Sequence, residues 1–373
     1  MDFNLTTEQK LIQKATRDFA EKEIAPVVLE MEKGAPLPDN VIEKMAKAKL
    51  LGMLAPRKYG GTDTGYLAYI MANEQFSYVI TACSFVMVVC NSIAEAINRF
   101  GTEEQKEKYV RGICEGKLMG SLSFTEPSTG SDPKALATTA VLAGDHWVIN
   151  GTKRFNTLGA YNGPALVFAR EGDSVHCIIV DKNCEGWSSS KPWDFMGYRG
   201  TPTVDSFLKD VRVPIGNLLL EKGKGFEILL KIISGARISS CARSLGLGQA
   251  ALDESIKYAK QRTRRGSPIA SMMSIQGMIA EMASRLEAAR WLTYRTAFLR
   301  EKGGDVLLES AMTKIFVTRT AKELADMGIQ IHGAYGFTKD FKIERIYRAA
   351  KEGEIVEGSS EIQRTIVASM LLA

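Results

Sequence analysis

The 373-residue chain holds only three histidines, His146, His176 and His332. That leaves little material for a His-rich metal centre or a Ser-His-Asp triad. Its six cysteines, Cys83, Cys90, Cys114, Cys177, Cys184 and Cys241, form no C-x-x-C pair and mostly sit among apolar or small residues. They read as reduced structural residues rather than disulfides or metal ligands. No G-x-G-x-x-G follows a strand pattern and no G-x-x-x-x-G-K-[ST] occurs, so a Rossmann or P-loop site lacks its signal. The longest apolar stretch, Phe85 to Cys90, is far too short to cross a bilayer, and no membrane span is expected. Met1 to Lys10 shows neither a secretory leader nor an Arg-rich transit pattern, which points to the cytoplasm. The formal charge of +5 is a mild, dispersed excess. It fits an anionic ligand and equally a bland solvated surface, and it argues against a nucleic-acid partner.

Hydrophobic residues make up 45% of the chain, enough for a large core and two or three domains. Three regions differ in character. Residues 1–118 read as helical, with a capping box at Thr6 and Gln9, an interruption at Pro26, a turn at 58–61 and a capped helix from Thr102. Residues 119–224 are rich in Ser, Thr, Gly, Pro and β-branched residues. Short strand patterns (147–149, 165–168, 176–180, 211–213) are separated by turn signals such as Asn150-Gly151 and Glu171-Gly172-Asp173, predicting a barrel-like β-domain. Residues 225–373 return to helical spacing, predicting a four-helix bundle. The expected fold is therefore α+β and multidomain: an N-terminal all-α domain, a middle β-barrel-like domain and a C-terminal bundle.

Four segments carry chemistry, each with an ordinary structural alternative. Phe124 to Asp132 can surround an anion or polar heterocycle with amides and small hydroxyls, or be a Pro/Gly turn. Arg262 to Ile269 is a basic loop that can bind phosphate, or a solvated interhelical connection. Gln330 to Phe337 is glycine-rich and lets backbone approach a ligand, or simply ends a helix. In Ile355 to Arg364, Glu357 lies between Val356 and Gly358, and a capped helix follows from about Ser359. Desolvation raises a carboxylate's pKa toward that of a useful base, and the amides at the helix start can polarise an anion or carbonyl. The alternative is a glutamate that merely precedes a capped helix.

Taken in order, these segments and three more make the chain resemble the acyl-CoA dehydrogenase family along essentially its whole length. The matching pieces are Thr-Glu-Pro-x-x-Gly-Ser-Asp at 125–132, Asn150-Gly151-x-Lys153 and Met196-Gly197-x-Arg199-Gly200. Val211-x-Val213-Pro214, the Arg262 loop, the Gln330–Gly336 turn and Glu357-Gly358-Ser359-Ser360-Glu361-Ile362-Gln363 complete the set. The resemblance implies an FAD between the β-domain and the bundle. Phe124 and Thr125 would lie at its ring, Ser131 near the pyrophosphate, and Phe155 and Thr157 over the ring. Arg262, Gln330, Gly333 and Ala334 would reach the FAD of a neighbouring subunit, so a homotetramer is implied. Ser359 and Glu361 would meet the cofactor again. Ser131, Ser234, Arg237 and Gly358 would bind the CoA thioester. Glu357 would take the α-proton while the β-hydrogen leaves as hydride. Relatives that hold the base elsewhere place a glutamate where this chain has Ala236. Electrons would pass to electron-transferring flavoprotein or to oxygen.

Several positions depart from the family pattern: Phe155, Asn156, Leu158, Arg265, Met273, Ala334, Ala349 and Val356. They suggest an unusual substrate. The segment Ser84–Ser92 is expected to line the acyl pocket. Cys83 stands near the position where glutaryl-CoA dehydrogenases carry an arginine, which disfavours a dicarboxylic substrate. Asn91 is either a polar contact for a compact acyl group (short, branched or alicyclic) or a satisfied helix asparagine. Rival readings are the same fold run as an enoyl-CoA reductase or oxidase, and a DNA-associated binding protein.

Overall fold

The computed structural model describes residues 4–132 and 135–373. Helices come first: α1 (Thr7–Phe19), α2 (Val28–Glu32), α3 (Asp39–Lys47), α4 (Tyr66–Val79), α5 (Thr81–Phe100), α6 (Glu103–Gln105) and α7 (Arg111–Cys114). Thr6 and Gln9 cap each other reciprocally at α1, and Thr102 and Gln105 do the same at α6. After α1 the chain passes through a π turn (Ala20–Ile24) and a 3₁₀ turn holding Pro26. Proline offers no amide to an α-helical ladder and crowds the preceding turn. Helix α5 has 20 residues and a mean hydropathy of 1.3, apolar enough by composition to cross a membrane, yet 72% of that window is buried inside the protein. Its apolar surface is core. Phe85, Val89, Ser92 and Glu95 are partly exposed among buried neighbours, so at a spacing of three to four they give α5 one open face.

The middle of the chain forms β1 (Ser121–Ser123), β2 (Thr139–Ala143), β3 (His146–Thr157), β4 (Pro164–Glu171), β5 (Ser174–Asp181), β6 (Trp187–Ser189) and β7 (Thr203–Pro214). They make one sheet in the order β1-β4-β2-β3-β7-β6, with β5 antiparallel to β4. Alternate residues of β4 serve two cores. Ala165, Val167 and Ala169 join Trp147, Ile178 and Val211 in the sheet's own core, while Leu166 and Phe168 join the core shared with the helices. Burial on both faces explains why β4 reads as an unbroken apolar run. Asn150-Gly151 is not the turn its sequence predicted. Strand β3 continues through it with a register shift against β7. Gly151 (φ +155°) is needed because a Cβ there would meet Thr138 Oγ1 at 2.3 Å.

The C-terminal part comprises α8 (Gly225–Gln261), α9 (Met273–Glu301), α10 (Leu307–His332), α11 (Lys342–Ala350) and α12 (Ser360–Leu372). Three helices are long, at 37, 29 and 26 residues, and the shorter α11 and α12 pack against α10, so the bundle has fewer long members than the four expected. The segment between β6 and β7 joins all three parts. Thr201 Oγ1 donates to the Ala82 carbonyl at 2.5 Å, Arg348 donates to the Met196 carbonyl, and Leu37 N donates to the Gly200 carbonyl at 3.0 Å.

Candidate active site

Nine described non-glycine residues have positive φ, and three of them, Phe155 (54°), Tyr198 (60°) and Glu357 (57°), fall in one region. Left-handed backbone costs a side chain about 1 kcal/mol or more, and such strain concentrates where geometry matters for function. Two groups of residues meet there.

The first is on the β-domain. Glu126, only 3% exposed, accepts from Ala137 N at 2.6 Å, Thr138 N at 3.0 Å and Lys153 Nζ at 2.7 Å. Lys153 also donates to the Phe168 carbonyl at 2.6 Å and the Phe124 carbonyl at 3.4 Å. Burial pulls the Lys153 ammonium down to about 8, against the upward pull of Glu126. Burial works to raise the Glu126 carboxyl, but Lys153 and the donors around it hold it below its ordinary value. This pair and a 2.7 Å bond from Arg154 N to the Thr125 carbonyl fix the 124–126 loop against β3. Phe155 projects from β3 with 49% exposure, beside Trp193 at 5.4 Å and Phe195 at 6.1 Å. Thr157 bonds Thr203 at 3.2 Å. The outcome is an exposed aromatic shelf bordered by Thr125 and Thr157, with Ser131 open to solvent.

The second group surrounds Glu357. Gly353 to Gly358 connect α11 to α12, and Ser359 caps α12 by accepting from Ile362 N at 3.5 Å. Gly358 has φ +90°, and a Cβ there would meet Gln363 Nε2 at 2.4 Å. Lys314 of α10 donates to the carbonyls of Gly353 (2.8 Å) and Gly358 (2.9 Å), and Gln363 donates to Gly358 O at 2.9 Å. Burial lowers the Lys314 pKa, while Glu357 and other nearby anionic groups pull it up. The Glu357 side chain is 15% exposed. Its Oε1 accepts from Arg243 Nη2 at 3.0 Å, and its Oε2 is buried without a partner. The carboxylate is therefore ion-paired, not isolated between Val356 and Gly358 as its neighbours in sequence suggested.

Arg243 lies 1% exposed on α8, 4.1 Å over the Phe85 ring and 3.9 Å from Glu352. Burial opposes its charge, but Glu357 and Glu352 hold it protonated. Glu352 is pushed up to about 7 by burial, against Arg243 and with the neighbouring Glu357 charge. Tyr198 packs edge-on against Phe85 at 5.0 Å and interacts with both Glu352 and Arg243. Arg237 is buried, and its Nε and Nη1 have no partner. Ser234 accepts from Arg300 Nη1 at 3.1 Å, and Arg300 also holds Glu95 at 2.8 Å.

Sequence reasoning placed Glu357, Gly358, Ser359, Ser234 and Arg237 on the two elements that converge here, α8 and the 353–359 segment. It missed Arg243, Glu352, Tyr198 and Lys314; Phe85, against Arg243 and Tyr198, belongs to the Ser84–Ser92 segment expected to line the acyl pocket. Arg243 left one signal: it is the only charged residue between Arg237 and Asp253. Asn91 is corrected. It is fully buried, accepts from Leu54 N at 3.1 Å and donates to Leu50 O at 2.8 Å and Met87 O at 2.9 Å, so no polar group is left for a substrate. Arg262, Gln330, Gly333 and Ala334 lie on an exposed end of the bundle, where Arg262 sits 5.5 Å over the Tyr335 ring. Glu361 is exposed on the first turn of α12 and pairs with Arg364 at 3.3 Å.

The helical domain, the β-domain and the helical bundle thus converge on an aromatic shelf and a largely enclosed, ion-paired glutamate. The sequence matches the acyl-CoA dehydrogenase N-terminal domain over residues 6–117, the middle domain over 121–211 and the C-terminal domain over 223–372. It is 38% identical to acryloyl-CoA reductase (NADH) of Anaerotignum propionicum, over 99% of this chain and 95% of that one. It is 37% identical to a caffeyl-CoA reductase–Etf complex subunit of Acetobacterium woodii, over 98% of each. Butyryl-CoA dehydrogenase of Megasphaera elsdenii shares the fold with a TM-score of 0.97, at 33% identity and complete coverage of both chains. The chain belongs to the acyl-CoA dehydrogenase family, whose members are FAD-dependent flavoproteins. Its own residues suit that cofactor: the half-exposed Phe155 and Trp193 rings and the adjoining Thr125 and Thr157 hydroxyls offer a planar polar heterocycle both stacking area and hydrogen-bonding groups.

Proposed function

We propose that this protein removes the α-proton and β-hydrogen of an acyl-CoA thioester carrying a compact acyl group (short, branched or alicyclic), with Glu357 as the base. The supporting observation is the Glu357 carboxylate itself. It sits on left-handed backbone at a helix start, anchored through one oxygen by Arg243 while the other, buried, has no partner. In this reading Oε2 takes the α-proton, and the Glu357 amide donates to the thioester carbonyl, stabilising charge that develops on it. Arg237, Ser234, Ser131 and Gly358 position the thioester. FAD, when bound, supplies the acceptor for the β-hydrogen as hydride. Phe124, Thr125, Ser131, Phe155, Thr157, Ser359 and Glu361 would hold it from one subunit, and Arg262, Gln330, Gly333 and Ala334 from the next. Exposed apolar side chains on the bundle, Met273 (87%), Phe337 (89%) and Leu372 (87%), support a homotetramer by offering surface to bury. The domains divide at 118/119 and 224/225. Electron-transferring flavoprotein is the proposed partner and the cytoplasm the proposed compartment; the Acetobacterium relative is a subunit of an Etf complex.

Anaerobic titration of the purified flavoprotein with an acyl-CoA panel, following loss of flavin absorbance, tests this. Compact saturated thioesters should bleach the flavin. Glu357→Gln should bind them, keep its flavin and not bleach. A Glu357→Gln variant with near-normal turnover would move the base elsewhere, and preference for long linear chains would remove the compact pocket. The reductase names among the relatives favour a second reading, the same chemistry run toward saturated products. Reoxidation of the reduced protein by enoyl-CoA faster than bleaching by acyl-CoA would establish it.

A further inference from the structure

We propose that Arg243 sets acyl specificity by receiving a carboxylate at the far end of the acyl group. The inference rests on Glu357 being the base. Arg243 Nη2 is 3.0 Å from Glu357 Oε1, which puts the guanidinium within one short acyl chain of the carbon that Glu357 deprotonates. Its Cζ lies 4.1 Å from the centroid of the Phe85 ring, on the open face of α5 that also presents Val89. The side chain is 1% exposed, yet its Nε and Nη1 have no partner. Buried donors are nearly always satisfied, and two on one guanidinium call for an acceptor from outside the chain. A carboxylate is the group that a guanidinium fork fits best.

Charge favours the same ligand. Arg237, Arg243 and Lys314 are buried cations around Glu357, faced by the carboxylates of Glu357 and Glu352. That is three positive groups against two negative ones, and an arriving carboxylate balances the set. The sequence offered no arginine on α5 and so disfavoured a diacid. Cys83 is fully buried in the core, and the arginine comes from α8 instead.

The test compares glutaryl-CoA with valeryl-CoA, thioesters of equal chain length, on the flavin-loaded full-length protein. Flavin bleaching gives kcat/KM and calorimetry gives Kd. The parent should favour glutaryl-CoA by roughly 10–100-fold, the loss expected when a buried charged hydrogen bond goes unmade. Arg243→Met, which also removes the anchor of Glu357, should slow both thioesters but glutaryl-CoA by a further ~10–100-fold, carried mainly by KM and Kd, so that the ratio is erased. Arg243→Lys should recover part of it. Glu352→Gln, which removes the competing carboxylate, should sharpen it. A parent that uses valeryl-CoA equally well overturns the proposal without any variant, as does an Arg243→Met protein slowed equally on both thioesters. If neither thioester binds or bleaches, it is the acyl-CoA reading that fails.

Discussion

Replacing Lys153 with methionine isolates what the buried ion pair behind the aromatic shelf contributes. The two side chains are 0% and 2% exposed, 2.7 Å apart. Methionine fills similar volume but leaves the Glu126 carboxylate without a counter-ion and the carbonyls of Phe168 and Phe124 without a donor. Breaking one side of a buried pair costs about 3–5 kcal/mol. The amides of Ala137 and Thr138 still solvate the carboxylate, which argues for the lower end, about 3 kcal/mol. With a slope of about 2–3 kcal/mol per M urea, the denaturation midpoint at pH ~8 should fall by roughly 1–1.5 M at fixed protein concentration. The deficit should shrink toward pH ~5. The lone carboxylate can then take a proton, and a neutral carboxyl is cheaper to bury. Because Lys153 tethers the Phe124 carbonyl, the variant should also release flavin more readily. The double variant Lys153→Met/Glu126→Gln should recover about 2 kcal/mol relative to the sum of the singles. A single variant within about 0.5 M of the parent at pH ~8 would refute the reasoning.

Gly358→Ala should cost about 1–2 kcal/mol, because φ +90° and a 2.4 Å approach to buried Gln363 both oppose a Cβ. It should also lower kcat more than ~10-fold by moving Glu357, so unchanged kcat in steady-state assays would count against Gly358 as the hinge of that loop. Lys182, buried against the carbonyls of Met119 and Leu158 at 2.8 Å each, is pulled by burial from 10.5 to about 7. The unfolded chain therefore binds the extra proton between those values. The cost of burying this charge is present in full below pH 7 and is relieved as pH rises toward 10.5. The parent's urea midpoint should accordingly rise from pH ~6 to ~9 relative to Lys182→Met, and parallel profiles would contradict the sign. Phe337→Asp, at a side chain 89% exposed on the bundle end, should shift sedimentation toward monomer and lower flavin content. A parent that already sediments as a fully flavinated monomer would remove the shared-cofactor reading.

The helix–β–helix order was legible because each part has a distinct period and punctuation: reciprocal caps at Thr6 and Thr102, β-branched runs between turns, and long 3/4 spacing after Gly225. Misreadings arose where local chemistry competes with tertiary context. Asn150-Gly151 carries a strong turn signal, but β7 and the nearby Thr138 side chain turn it into a bulge inside β3. Asn91 looks like a polar exception awaiting a ligand, yet main-chain groups of Leu50 and Leu54 and the Met87 carbonyl one turn back on its own helix satisfy it.

The site was legible only where function and backbone coincide. Glu357 stands next to a glycine and a helix cap, features that show in the string itself. Its partners do not. Glu352 sits in Lys351-Glu352-Gly353-Glu354, which reads as a solvated charge run; it is buried only because α8 brings Arg243 to it across more than a hundred residues of chain. Lys314 likewise looks like an ordinary helix-surface lysine until its ammonium is seen to hold the two carbonyls that bracket the Glu357 segment. A charge's burial is decided by what packs around it, and no local pattern encodes that. The same electrostatics makes these hidden residues consequential: in a low-dielectric cleft, each cation near Glu357 acts on its carboxylate and on any second anion far more strongly than a solvated one. A reading confined to motifs therefore finds Glu357 and overlooks the buried charges packed around it.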